Sequence, residues 1–127
     1  MIIIFLFIIL LMKYNFKKKS TLENRINESN KILKKYPDRV PVIVEKHHDS
    51  DINDIDKSKY LVPKDMSISQ FHFVIRKRIK LTPEKALFIT INNTLVSSSD
   101  TLGELYESMK DEDGFIYMIY TGENTFG

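Results

Sequence analysis

Apolar residues open the chain in an unbroken run, Met1 to Met12, and recur with a period in several later segments. The run is shorter than the ~20 residues a membrane-spanning helix needs. No basic residue precedes it and no small-residue cleavage site follows it, so it lacks the flanks of a signal peptide. It has no period that would place it in a globular core. Beyond it, Leu22, Ile26, Ser29, Ile32 and Leu33 trace one face of a helix over Thr21–Tyr36, which Pro37 ends. Arg39–Glu45 reads as a strand in which Pro41 favours an edge or bulged position. His47–Asp56 is polar and acidic, a loop. Lys59–Val62 is a short strand stopped by Pro63.

The clearest helix is Ser67–Lys80. Ser67 and Gln70 have capping-box spacing, and Ile68, Phe71, Val74, Ile75 and Ile79 make its buried stripe. Ala86–Ile91 is a buried strand. Asn92 and Asn93 tolerate positive φ and predict a hairpin into Thr94–Val96. Asp100 is the expected cap of a helix over Thr101–Lys110, and Gly114 leads into a last strand, Phe115–Tyr120. Thr121–Gly127 has no apolar pattern and should be a free tail. A helix followed by β-β-α-β-β-α-β suits a mixed sheet with the long helix across one face. That is the ubiquitin-like β-grasp, an α+β class.

Composition narrows the chemistry. The chain has no cysteine, which removes disulfides, zinc-thiolate sites and a cysteine nucleophile. The net charge of +2 hides an asymmetry: Lys13 to Lys46 holds ten basic and four acidic residues, so this segment carries +6 and the remainder −4. A basic front suits acidic partners such as anionic headgroups, acidic peptides or tubulin-like tails. No nucleic-acid recognition motif accompanies it. Ser97–Ser99 follow a strand but lack a nucleophile elbow. The four scattered glycines build no phosphate loop, and no cofactor is implied. His47, His48, Asp49, Asp51, Asp54 and Asp56 match neither a helical histidine pair nor a calcium loop, so a solvated acidic loop is the better reading. The sequence argues against an enzyme.

Two features carry a mechanism. A short strand such as Lys59–Val62, followed by Pro63 and flanked by Lys57, reads as a sheet edge, which can accept an extended peptide as an added strand. A terminal glycine, Gly127, has no side chain to obstruct an enzyme channel.

Read together, KKYPDRVPVIVEK (Lys34–Lys46), DIDKSKYLVPKDMSISQF (Asp54–Phe71), IRKRIKL (Ile75–Leu81), LYESMKDEDGFIYMIY (Leu105–Tyr120) and GENTFG (Gly122–Gly127) resemble the autophagy ubiquitin-like modifiers of the GABARAP-like family. The resemblance covers Met12 to Gly127 with every motif in family order. It implies two helices in front of the β-grasp. The domains would then be an apolar extension 1–11, a helical subdomain 12–36, a ubiquitin-like domain 37–120 and a conjugation tail 121–127. It implies activation by an E1-like enzyme, transfer to an E2-like enzyme, an amide bond from Gly127 to phosphatidylethanolamine, and release by a deconjugating cysteine protease. It further implies a cytoplasmic protein recruited to autophagosome membranes and cytoplasmic vesicles, where cargo receptors dock aromatic-x-x-aliphatic motifs on the Lys57–Val62 edge. One family pocket falls on Glu28, Ile32, Pro41, Lys59, Leu61 and Phe115. The second falls on Tyr60, Val62, Pro63, Met66, Phe71, Val74 and Ile75. Arg39 and Arg78 would flank the peptide. Leu61 and Phe71 are thus expected to line separate pockets, with Lys59 pairing ligand acids. Tyr60→Ala with Leu61→Ala should abolish binding and leave the fold intact.

The chain departs from the family in two places. Val96–Ser99 replaces a usual proline pair, and the given sequence ends at the glycine that most members extend, as expected of a protein either made mature or already trimmed. Plastid membranes are an alternative location, since some relatives from plastid-bearing parasites also end at glycine. Two other functions remain open at this point: an unconjugated binding module, on microtubules for instance, and a secreted or membrane-anchored protein. Translation is expected to start at Met12, with residues 1–11 outside the fold.

Overall fold

A computed structural model describes residues 15–122. The expectations for residues 1–11 and for Gly127 lie outside the described residues. The elements are α1 (Asn15–Lys19), α2 (Leu22–Lys35), β1 (Arg39–Lys46), β2 (Lys59–Pro63), α3 (Ile68–Arg78), β3 (Phe88–Ile91), β4 (Thr94–Leu95), α4 (Leu102–Met109) and β5 (Ile116–Thr121). The five strands form one sheet in the order β2-β1-β5-β3-β4, with β1 and β5 parallel and every other pair antiparallel. This is the expected α+β β-grasp. No helix among the described residues is long and apolar enough to cross a membrane.

Local chemistry starts the elements where it should. Ser67 opens α3 through a full capping box with Gln70. Asn92 and Asn93, at φ 52° and 61°, make the β3–β4 hairpin turn. The predicted cap Asp100 is corrected to Thr101, whose hydroxyl accepts the Glu104 N–H at 3.3 Å. Asp100 instead accepts the Ser97 N–H within the preceding turn. Pro41 is corrected as well: β1 lies inside the sheet. The β1–β5 ladder begins at Val42↔Ile116, so the missing proline N–H falls just before any β5 partner could need it. Two residues of the expected free tail are corrected: Thr121 belongs to β5, and Gly122 donates its N–H to Ser50 Oγ at 3.1 Å, while 123–127 lie outside the described residues.

Both sheet faces are covered, which is why all six residues of β5 are buried. Val40, Val42, Val44, Tyr60, Val62, Ile116, Met118 and Tyr120 pack under α3 and α4. Ile43, Phe115, Tyr117 and Ile119 pack against Phe16 of α1 and Ile32 of α2. The stripe expected on α2 needs revision. Leu22 is 40% exposed and Arg25 is buried in its place, while Ser29 is buried as expected.

Arg25 is the reason. Its Nε donates to Asp113 Oδ2 at 2.8 Å, and its Nη1 donates to the carbonyls of Ser20 (2.5 Å) and Lys17 (3.3 Å). Asp113 also accepts the Tyr117 hydroxyl (2.5 Å) and the Phe115 N–H (2.9 Å), while Ser29 Oγ donates to the Asp113 carbonyl. Burial, with the Asp113 hydrogen bond second, pushes the Tyr117 hydroxyl far above the ordinary tyrosine range. Gly114, at φ 87°, closes this corner, where an added Cβ would lie 2.3 Å from Ser29 Oγ. The short α1 is held from the sheet: the Glu45 carboxylate accepts the Asn15 and Phe16 N–H groups, each at 2.9 Å.

Candidate functional site

β2 is an outer strand, as its composition predicts. The phase of its pairing decides what it offers. Pro41 has no N–H to give, so Pro41↔Leu61 is a pair without ladder hydrogen bonds. The Val44 N–H donates to the Ser58 carbonyl at 2.7 Å, which sets the same phase from the other end. Val42↔Tyr60 and Val40↔Val62 are then the bonded pairs, and the main-chain groups of Lys59 and Leu61 point away from the sheet. The outward Leu61 carbonyl is covered in part by Arg39, whose Nη1 donates to it at 3.2 Å.

Side chains along β2 alternate between the two sheet faces. Lys59, Leu61 and Pro63 lie on the α2 side with Glu28, Ile32 and Pro41 of the first expected pocket. Phe115 is fully buried beneath them. Tyr60 and Val62 lie on the α3 side with Phe71 and Ile75. All four are core residues, forming a floor rather than an open wall. On the surface of that side, Met66 is half-buried, and Val74, expected in the buried stripe of α3, is exposed instead.

The flanking charges already have partners. Lys59 is paired with Glu28 and lies over the Phe16 ring, 5.3 Å from its centroid. Lys57 lies 5.0 Å over the Tyr60 ring. Arg78 grips Asp56 with two bonds, of 2.8 and 3.3 Å, and this guanidinium holds the Asp56 carboxyl below its ordinary value. Phe16, Asp56 and Glu45 escape a reading by periodicity. A five-residue helix has no detectable period, and Asp56 sits in a loop whose acids look alike.

Tyr60 carries an internal tension. Its ring is 8% exposed and meets Phe71 edge-on at 5.6 Å, yet its hydroxyl is buried with no hydrogen-bond partner among the described residues. Burial raises this hydroxyl's pKa. Leaving a buried hydroxyl unpaired costs free energy that its removal recovers. Tyr60→Phe should therefore stabilise the protein by about 1 kcal/mol, measured as a higher denaturant midpoint. A lower midpoint would show that the hydroxyl is satisfied.

Elsewhere, half-buried His72 is engaged with the Leu87 carbonyl at 2.8 Å. The Ser97 and Ser99 hydroxyls bond each other at 3.0 Å in an exposed turn.

Comparison with known proteins bears on this sequence and this fold. The family model described as autophagy protein Atg8, ubiquitin like, matches residues 24–127. Autophagy-related protein 8B of Oryza sativa subsp. indica is 59% identical over 115 residues, covering 91% of this chain and 97% of its own. Autophagy-related protein 8a of Arabidopsis thaliana is 56% identical over 115 residues, covering 91% and 94%. The crystal structure of Trypanosoma brucei ATG8 superposes with a TM-score of 0.84 at 43% identity, covering 88% of this chain and 97% of that one. On its sequence and on its β-grasp fold alike, the chain belongs to the Atg8 family of ubiquitin-like autophagy proteins.

Proposed function

We propose that this protein is a modifier joined through Gly127 to phosphatidylethanolamine, and that on autophagosome membranes it docks aromatic-x-x-aliphatic motifs of cargo receptors along β2. In this reading it is an adaptor rather than an enzyme. Its partners are E1-like and E2-like conjugation enzymes and a deconjugating cysteine protease. It works from the cytoplasm on autophagosomal and vesicle membranes, with a plastid membrane as the alternative.

The observation that carries the reading is the outward phase of the Lys59 and Leu61 main chain at a sheet edge. A peptide added there as a strand takes its hydrogen bonds from this edge. In a strand, residues i and i+3 point to opposite faces. The aromatic and the aliphatic residue would thus fall on different sides of β2, one toward Leu61 and Ile32, the other toward Met66 and Val74. The spacing of the motif suits pockets that straddle an edge strand.

Two measurements test it. Leu61→Ala should weaken a W-x-x-L peptide about 30-fold in a fluorescence-polarisation titration, equivalent to about 2 kcal/mol at a buried anchor. Gly127→Ala should block or greatly slow transfer to phosphatidylethanolamine liposomes by the conjugation enzymes, because the added methyl must pass each enzyme's narrow channel. An unchanged peptide titration rejects the docking edge. Full lipidation of Gly127→Ala rejects the conjugation mechanism.

A further inference from the structure

The loop between β1 and β2 opens with His47, His48 and Asp49. Their spacing in sequence fits no familiar metal motif, yet the fold gathers them. One ligand atom from each lies within 4.8 Å of the other two. The imidazoles stack with centroids 4.5 Å apart and planes 20° from parallel, and His48 Nε2 is 3.3 Å from Asp49 Oδ2. A tetrahedral ion with bonds near 2.0–2.1 Å holds its ligand atoms about 3.4 Å apart. The remaining closure is a rotation of side chains that are free to make it, since those of His48 and Asp49 are 82% and 71% exposed. His47 is half-buried, with Nδ1 accepting the Asp49 N–H at 3.1 Å. A cation taken at Nδ1 replaces that bond, and one taken at Nε2 requires the other tautomer.

Two imidazoles and one carboxylate suit zinc and its d-block neighbours, not the oxygen-seeking calcium or magnesium. Three protein ligands would leave a fourth position to water.

The same turn grips the end of the domain. The Ser50 N–H donates to the His47 carbonyl at 3.1 Å and closes the turn. The His47 N–H donates to the Tyr120 carbonyl at 2.8 Å, Ser50 Oγ accepts the Gly122 N–H, and Lys46 Nζ donates to the Ser50 carbonyl at 2.7 Å.

We propose that His47, His48 and Asp49 bind a zinc-class divalent cation, and that the bound ion braces the turn from which the chain leaves the sheet at Gly122. The test uses the full chain without a purification tag, titrated with zinc alone against a competing chromophoric chelator. One zinc per chain is expected. His48→Ala and Asp49→Ala should each weaken it by about tenfold or more, since even groups behind the ligands of a metal site are worth that. His72→Ala, away from the turn, should leave it unchanged. Zinc should also shift the amide resonances of Ser50 and Gly122 and slow hydrogen exchange at Gly122. Equal affinity in the wild type and His48→Ala, or an equal loss in His72→Ala, overturns the site. Binding that leaves the Gly122 amide untouched overturns the bracing role.

Discussion

Asp113→Ala is expected to destabilise the protein by about 3–5 kcal/mol, because it strands a buried arginine without its counter-charge. Arg25 is 4% exposed and Asp113 0% exposed. With the carboxylate gone, Nε of Arg25 and the hydroxyl of Tyr117 both lose their acceptor, and the Phe115 N–H loses its own. Single domains are held by only about 5–15 kcal/mol, so the loss takes a large share of the total. Damage should concentrate where the network ties α1 and α2 to the sheet. Arg25 holds the carbonyls of Lys17 and Ser20, and beside it Phe16 packs on Phe115 with centroids 5.1 Å apart. Denaturant titration gives the magnitude, and hydrogen exchange along 15–35 gives the location. Replacing the pair together with apolar residues, Arg25→Met with Asp113→Leu, should recover only the part of the loss that comes from the stranded charge, because the Tyr117 hydroxyl and the Phe115 N–H still lack their acceptor. A drop below about 1 kcal/mol for Asp113→Ala would mean that water reaches Arg25 and satisfies it.

The second large effect concerns a substitution that looks like a docking mutant and is not one. Tyr60→Ala should cost about 3–5 kcal/mol, the range for deleting a buried aromatic. The side chain packs edge-on to Phe71 and sits in the same core as Val62 and Ile75. This corrects the expectation that Tyr60→Ala with Leu61→Ala leaves the fold intact. Leu61→Ala, on the opposite and half-exposed side of β2, should cost only about 1 kcal/mol, because little apolar area leaves contact. Thermal unfolding of the two single variants separates them. Equal losses would mean that Leu61 is as much a part of the core as Tyr60. The practical result is that Leu61→Ala reports on the groove while Tyr60→Ala reports on the fold.

Much of this molecule is legible in its sequence because the relevant physics is short-ranged. Ser67 with Gln70, the Asn92–Asn93 turn, Pro37 after α2 and Pro63 after β2 each act within about one helical turn or one hairpin. The alternation of β2 and the apolar density of β1 and β5 follow from which strands are buried on one face and which on two. Four of the five motifs that resemble the family overlap helices or strands of this fold, and the fifth, Gly122–Gly127, lies outside the described residues after Gly122.

Tertiary structure alone decided the rest, wherever partners lie far apart in sequence. Arg25 reads as one more charge on a lysine-rich helix. Only its encounter with Asp113, 88 residues away, makes it the buried centre of α2, with Leu22 left in solvent. Pro41 reads as an edge signal, and only the starting register of β5 shows how an interior strand tolerates it. Thr121 and Gly122 read as tail, because nothing local announces the hydrogen bond from Gly122 to Ser50, 72 residues away. The histidine pair reads as part of a solvated loop until the turn folds its side chains together. Periodicity and capping report what a residue meets among its neighbours in the chain, whereas burial of a charge, ladder phase and ligand convergence depend on what the fold brings from elsewhere.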